Sequence, residues 1–182
     1  MKLIVVTGPM FSGKSSRLIV EGEKYIKAGF KTVYLKPIAD ERWDKTVIET
    51  HDGIKVPAVI LDDTFNLEIV EQSEVILIDE VQFIPIHLIK GIQELVRRGK
   101  TVIVAGLDMD YLGRSFPVTR ELMAQSDEVF KIKGQCRCGK DSVMSSISKE
   151  YRKDMLNPIV LGDGDKYTAM CRECFGRENY EE

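Results

Sequence analysis

Short apolar runs alternate with amphipathic stretches along this chain, and the alternation predicts a mainly parallel sheet with helices on its faces. Lys2–Thr7 (K-L-I-V-V-T) is the first such strand. Ser15–Ala28 carries Leu18, Ile19, Tyr25 and Ile26 at helical spacing, with Gly29 as its stop. Lys31–Lys36 is a second strand closed by Pro37, and Ile38–Asp52 is polar and aperiodic, which predicts a loop. Gly53–Leu61 predicts a strand, after which Asp62-Asp63-Thr64 caps a short helix carrying Phe65, Ile69 and Val70. Val75–Ile78 is a fully apolar strand ending in Asp79. Pro85 marks a helix start, and Leu88, Ile89, Ile92, Leu95 and Val96 form one face before Gly99. Thr101–Ala105 and Val129–Ile132 predict two more strands, with a short helix at Thr119–Gln125 between them. From Gly134 onward the alternation stops, and all four cysteines lie there. The expected organisation is therefore an α/β domain over 1–133 and a small second domain over 134–182.

The first strand runs into Gly8-Pro9-Met10-Phe11-Ser12-Gly13-Lys14-Ser15 and then into a helix. This is G-x-x-x-x-G-K-[ST] between a strand and a helix, the context in which backbone N–H groups and a helix N-terminus cradle phosphates. A nucleoside triphosphate is the implied ligand. Lys14 would reach the β/γ-phosphates and the Ser15 hydroxyl would ligate Mg2+. Asp79, at the end of its strand, would hold the same ion from the opposite side, and Glu80 beside it is a candidate general base. That pair serves a hydrolytic ATPase, which orients water, as well as a kinase, which deprotonates an acceptor alcohol.

Composition narrows the partners. The 182 residues are 43% apolar and 30% charged, with a formal net charge of −3 and an isoelectric point near 5.6. An acidic balance argues against a nucleic-acid polymer, and the short basic stretch Lys131–Lys140 reads as a solvated face. No apolar run reaches the roughly 18 residues a membrane span needs, and no signal-peptide pattern precedes the first strand. A cytoplasmic protein is expected, in which stable disulfides are rare. Cys136-Arg137-Cys138 and Cys171-Arg172-Glu173-Cys174 form two close pairs. A four-thiolate structural zinc site is the leading reading, with reduced core thiols or a disulfide as alternatives. The C-x-C spacing of the first pair is one residue short of the usual C-x-x-C.

Along nearly its whole length the chain resembles the type II thymidine kinases, the zinc-containing and usually tetrameric group. The phosphate loop with its Pro-Met-Phe interior carries that resemblance. So do Lys36-Pro37-Ile38-Ala39-Asp40-Glu41-Arg42-Trp43, Asp79-Glu80-Val81-Gln82-Phe83 and Ala105-Gly106-Leu107-Asp108-Met109-Asp110-Tyr111. Val160-Leu161-Gly162-Asp163-Gly164-Asp165-Lys166-Tyr167, followed by the second cysteine pair, resembles the family's thymidine-covering loop.

The resemblance implies a P-loop NTPase core with a zinc-stapled C-terminal domain bearing a lid. It implies ATP- and Mg2+-dependent phosphorylation of the thymidine 5′-hydroxyl in nucleotide salvage by a homotetramer, with structural Zn2+. Glu80 would be the base, with Lys14 and Arg42 stabilising the transferred phosphoryl group. Met10, Leu107 and Tyr111 would line the nucleoside pocket, Ser145 aligns with a threonine near the base, and Gly162 and Tyr167 belong to the covering loop. From the residues alone, Tyr111 fits a pyrimidine face or a half-buried core position, and Met10 and Phe11 fit packing beneath the loop. Two other functional classes stay open: a P-loop ATPase or switch protein, and a non-catalytic nucleotide-binding homologue. Val81 stands where the family has a small residue, Tyr111 where it has Phe, and Gln135 where the first cysteine is expected.

Overall fold

The computed structural model describes residues 1–38, 46–61, 67–148, 151–152 and 166–180. Its centre is a six-stranded, all-parallel sheet. The strands are β1 (Lys2–Thr7), β2 (Thr32–Pro37), β5 (Val59–Leu61), β6 (Val75–Ile78), β7 (Thr101–Gly106) and β8 (Glu128–Lys131), in the spatial order β5-β2-β6-β7-β1-β8. Successive side chains of a strand face opposite sides, and both sides are apolar here. Leu3, Val5, Ile76, Ile78, Val102 and Val104 pack against α3 (Ile89–Arg97) and α4 (Pro117–Gln125). Ile4, Val6, Leu77, Ile103 and Ala105 pack on the other side, against α1 (Lys14–Lys27). Burial on both faces explains why these strands read as continuous apolar runs rather than alternating ones.

The order of the strands sets up the site. β1 and β6 end at the same sheet edge with β7 between them. The phosphate loop, Asp79-Glu80 and Leu107 therefore leave three neighbouring strand tips, the edge at which open parallel sheets bind ligands.

Three sequence expectations differ from the fold. Within the stretch expected as a loop, β3 (Val47–Glu49) pairs antiparallel with β4 (Lys55–Pro57), and buried Ile48 and Val56 stand directly opposite each other. The predicted strand over 53–61 divides: β4 stays in this hairpin, while β5 joins the edge of the large sheet. Pro57 at the division has no N–H to continue a ladder. The helix expected at Pro85 is preceded by two 3-10 turns, Val81–Phe83 and Ile86–Leu88, and α3 proper begins at Ile89. The short helix α2 spans Leu67–Gln72; its expected cap Asp62-Asp63-Thr64 and Phe65 lie outside the described residues.

Beyond Lys133 the elements are small. β9 (Gly134–Gln135) pairs with β10 (Asp141–Ser142), and β11 (Met144–Ile147) pairs with β12 (Tyr167–Met170), followed by α5 (Arg172–Tyr180). They enclose their own apolar cluster of Cys136, Met144, Met170, Cys171 and Phe175, against which Met109 from the β7 side also packs. The cations of the basic stretch pair with carboxylates: Lys131 with Asp108, Lys133 with Asp141, Arg137 with Glu178 and Lys140 with Glu173. Among the described residues, no helix is long and apolar enough to cross a membrane.

Candidate active site

The loop between β1 and α1 is bent by backbone that only special positions tolerate. Gly13 takes a left-handed φ of 82° at the head of α1, and Phe11 one of 59° at the loop's apex. Gly8 is fixed by contact: a Cβ there would fall 2.2 Å from the Ile132 carbonyl oxygen. The Pro9 carbonyl gathers two donors, the Ser12 hydroxyl at 2.8 Å and the Lys14 ammonium at 2.7 Å. Lys14 is thereby folded into the loop and buried.

Lys14 and Ser15 share one cleft with Asp79, Glu80 and Lys36. Lys36, only 3% exposed, closes the side of β2. The β3–β4 hairpin forms the far wall through Glu49, Thr50, His51 and Asp52. The His51 ring lies against the Phe11 ring, centroids 4.9 Å apart. Sequence analysis assigns His51 no role, and its place opposite the phosphate loop is a finding of the structure. Asp52-Gly53 between alternating residues is the hairpin signal that could have found it.

Asp79 is buried, its N–H donating to the Leu35 carbonyl at 3.0 Å, so its carboxylate is held at the tip of β6. One oxygen accepts the Glu80 N–H at 3.0 Å. Glu80 itself is left-handed, φ 51° and ψ 41°, and leads directly into the first 3-10 turn. Val81, the departure beside it, is fully buried and packs against Gly106, where a Cβ would come 2.7 Å from its Cγ1. Gln82 is also buried. Its amide N–H donates to the Glu80 carboxylate, and its carbonyl oxygen accepts the Leu107 N–H at 3.0 Å.

The proposed nucleoside residues fall partly around this cleft. Met10 lines it, and its N–H donates to the Ser145 hydroxyl at 2.9 Å, so β11 is tied to the phosphate loop. Leu107, Tyr111, Ser145 and Tyr167 lie outside its lining. Tyr111 is 2% exposed in the turn that Asp110 organises, where one Asp110 oxygen accepts the Leu112 and Arg114 N–H groups and the other pairs with the Arg114 guanidinium. Tyr167 is half-buried on β12 opposite Ile147. Arg42 and Gly162 lie outside the described residues.

The Sγ atoms of Cys136, Cys138, Cys171 and Cys174 all lie within 4.8 Å of one another, and Cys138 and Cys171 are 3.7 Å apart. A tetrahedral zinc with bonds of about 2.3 Å sets sulfur atoms about 3.8 Å apart, so this cluster could hold zinc. The short C-x-C spacing is accommodated by a turn in which the Gly139 N–H donates to the Cys136 carbonyl, with Gly139 at φ 83°. The backbone N–H of Cys138 pulls the Cys136 thiol down to about 6. Cys171 is lowered too, chiefly by the Cys174 backbone, while the neighbouring thiols, that of Cys138 first, push Cys174 up to about 12. Four thiols this close cannot all ionise without a cation among them.

Comparison with known proteins identifies the family. A family model described as thymidine kinase matches residues 1–175. The chain is 35% identical to a thymidine kinase of Thermococcus kodakarensis, over 94% of this chain and 92% of that protein. It is 34% identical to one from Pyrobaculum aerophilum, over 93% and 96%, and 31% identical to one from Pseudothermotoga lettingae, over 97% and 95%. With the match running from the phosphate loop through the second cysteine pair, the chain belongs to the thymidine kinase family.

Proposed function

We propose that the protein transfers the γ-phosphoryl group of ATP to the 5′-hydroxyl of thymidine, making the monophosphate for nucleotide salvage. The observation that carries this is the single cleft in which the phosphate loop meets the Asp79-Glu80 pair. A phosphoryl donor and a base for an acceptor alcohol are thereby adjacent, in a chain of the thymidine kinase family.

Phosphoryl transfer asks the protein mainly for positioning and charge stabilisation. The loop's backbone N–H groups and the N-terminus of α1 hold the triphosphate, and Lys14 exchanges the Pro9 carbonyl for phosphate oxygens. Glu80 takes the proton of the attacking hydroxyl, and Arg42, a proposal resting on the family resemblance, stabilises the group in flight. Ser15 and Asp79, two hard oxygen donors on the same cleft, are the residues that would hold Mg2+. When bound there, the ion supplies neutralisation of charge on the phosphate oxygens. Leu107, Tyr111, Ser145, Gly162 and Tyr167, with Met10, form the thymidine side under a lid from the segment before β12. Water is thereby excluded and transfer is favoured over hydrolysis. The 134–182 unit, stapled by zinc on its four cysteines, carries that lid. A cytoplasmic homotetramer with no nucleic-acid partner completes the reading.

Glu80→Gln tests the chemistry. Turnover should fall by two to four decades, the usual worth of general base catalysis, while ATP binding persists. Near-normal turnover would remove Glu80 as the base.

A further inference from the structure

The geometry points to Gln82 as the positioning residue for phosphoryl transfer: it aims the Glu80 carboxylate and ties it to the strand end that carries Leu107. The inference rests on Glu80 being the base.

Glu80 needs such a device. A non-glycine residue in the left-handed region is strained and persists only where its surroundings over-determine it. Here the Glu80 N–H is held by Asp79 and the Glu80 carbonyl accepts the Phe83 N–H at 3.0 Å, which fixes the backbone. A backbone so fixed still leaves the side-chain torsions of a glutamate to be set. Gln82, two residues on, sets them by donating its amide N–H to Oε2 of Glu80.

The orientation of that amide follows from its other end. A backbone N–H can only donate, so the atom facing Leu107 N at 3.0 Å must be the Gln82 carbonyl oxygen. The NH2 group is then the end that faces Glu80, and a flipped amide would set oxygen against carboxylate and donor against donor. Gln82 is 6% exposed, so water offers little competition. Space for it is made by Gly106, where a Cβ would lie 2.6 Å from the Gln82 carbonyl oxygen. Tip of β6, amide and tip of β7 thus form one hydrogen-bonded unit, and a shift of Leu107 is passed to the carboxylate. Gln82 does not line the cleft and acts through Glu80.

The test is a double-mutant cycle on the full-length protein, with kcat, KM for thymidine and ATP, and binding of each substrate measured separately. Gln82→Ala should lower kcat by roughly 10- to 100-fold, the worth of a hydrogen bond to a charged group, with both dissociation constants within about threefold of wild type. In a Glu80→Ala background the same substitution should change the residual rate by less than about twofold, because nothing remains to aim. Gln82→Glu keeps the shape and the acceptor for Leu107 but turns an acceptor toward Glu80. It should lose kcat as Gln82→Ala does, and it serves where the alanine variant does not fold. Equal losses in both backgrounds, or unchanged kcat in either Gln82 variant, would overturn the inference. A Glu80→Ala enzyme with near-normal turnover would instead overturn the assignment of the base, a separable result.

Discussion

Gly22 lies in the middle of α1, where replacing glycine by alanine ordinarily gains about 1 kcal/mol of helix stability. Here the gain is reversed. An added Cβ would lie 2.1 Å from the Tyr34 hydroxyl oxygen, 2.7 Å from its Cζ and 3.0 Å from Leu77 Cδ2. Tyr34, 6% exposed on β2, is held from behind by the sheet, and its hydroxyl donates to the Ile19 carbonyl at 3.3 Å. Moving the ring costs about 1–3 kcal/mol of overpacking and about 1 kcal/mol for the hydrogen bond. Set against the helix gain, Gly22→Ala should destabilise by about 1–3 kcal/mol. For a chain of this size that is a fall in Tm of roughly 2–12 °C. Thermal unfolding followed by circular dichroism reads it directly. Tyr34→Phe in the same background should return part of the loss, since the hydroxyl contact goes while the Cζ contact stays. An unchanged or raised Tm for Gly22→Ala would refute the packing described between α1 and β2.

Other outcomes follow from single contacts. Burial pushes the Tyr34 phenol up to about 12, so its neutral form is the one favoured in the fold. That stability is complete below pH 10 and drains away as pH rises from 10 to 12, by about 2 kcal/mol. Tyr34→Phe should flatten this part of the pH–stability curve, and parallel curves would contradict the burial. Gly8→Ala drives a Cβ into the Ile132 carbonyl and should cost about 3 kcal/mol together with most ATP affinity, measured by calorimetry; wild-type affinity would disprove the close approach. Ser145→Ala leaves the Met10 N–H without its oxygen and should raise KM for ATP by roughly 5- to 100-fold; an unchanged KM would mean the bond does not hold the phosphate loop. Metal analysis should return about one zinc per chain. Cys171→Ser should lose that zinc and expose 134–180 to protease while the amides of the central sheet stay protected from exchange.

Much of the central sheet was readable because its strands are buried on both faces. Val75–Ile78 and Thr101–Ala105 are short, rich in β-branched residues and apolar but for Thr101, as parallel strands covered on both faces are. The phosphate loop was readable because its chemistry is local, with glycines, a lysine and a serine at fixed spacing between a strand and a helix. The β3–β4 hairpin was not. Its strands are three residues each, too short for a period to emerge, and the turn at Thr50–Gly53 was lost among polar neighbours. The division at Pro57 depends on which sheet offers an edge, a tertiary matter. The bond from Met10 to Ser145 spans 135 residues, and no local pattern encodes it. Gln82 was visible only as a letter in a motif; its role needed the positions of Glu80 and Leu107 together.

Release of ADP from ATP and Mg2+, with and without thymidine and alongside deoxycytidine, deoxyguanosine and deoxyadenosine, tests the central claim most directly. Release that requires thymidine, with thymidine monophosphate formed in equal amount, is the predicted result. Release at the same rate with no nucleoside present would contradict it and make the cleft a hydrolytic one.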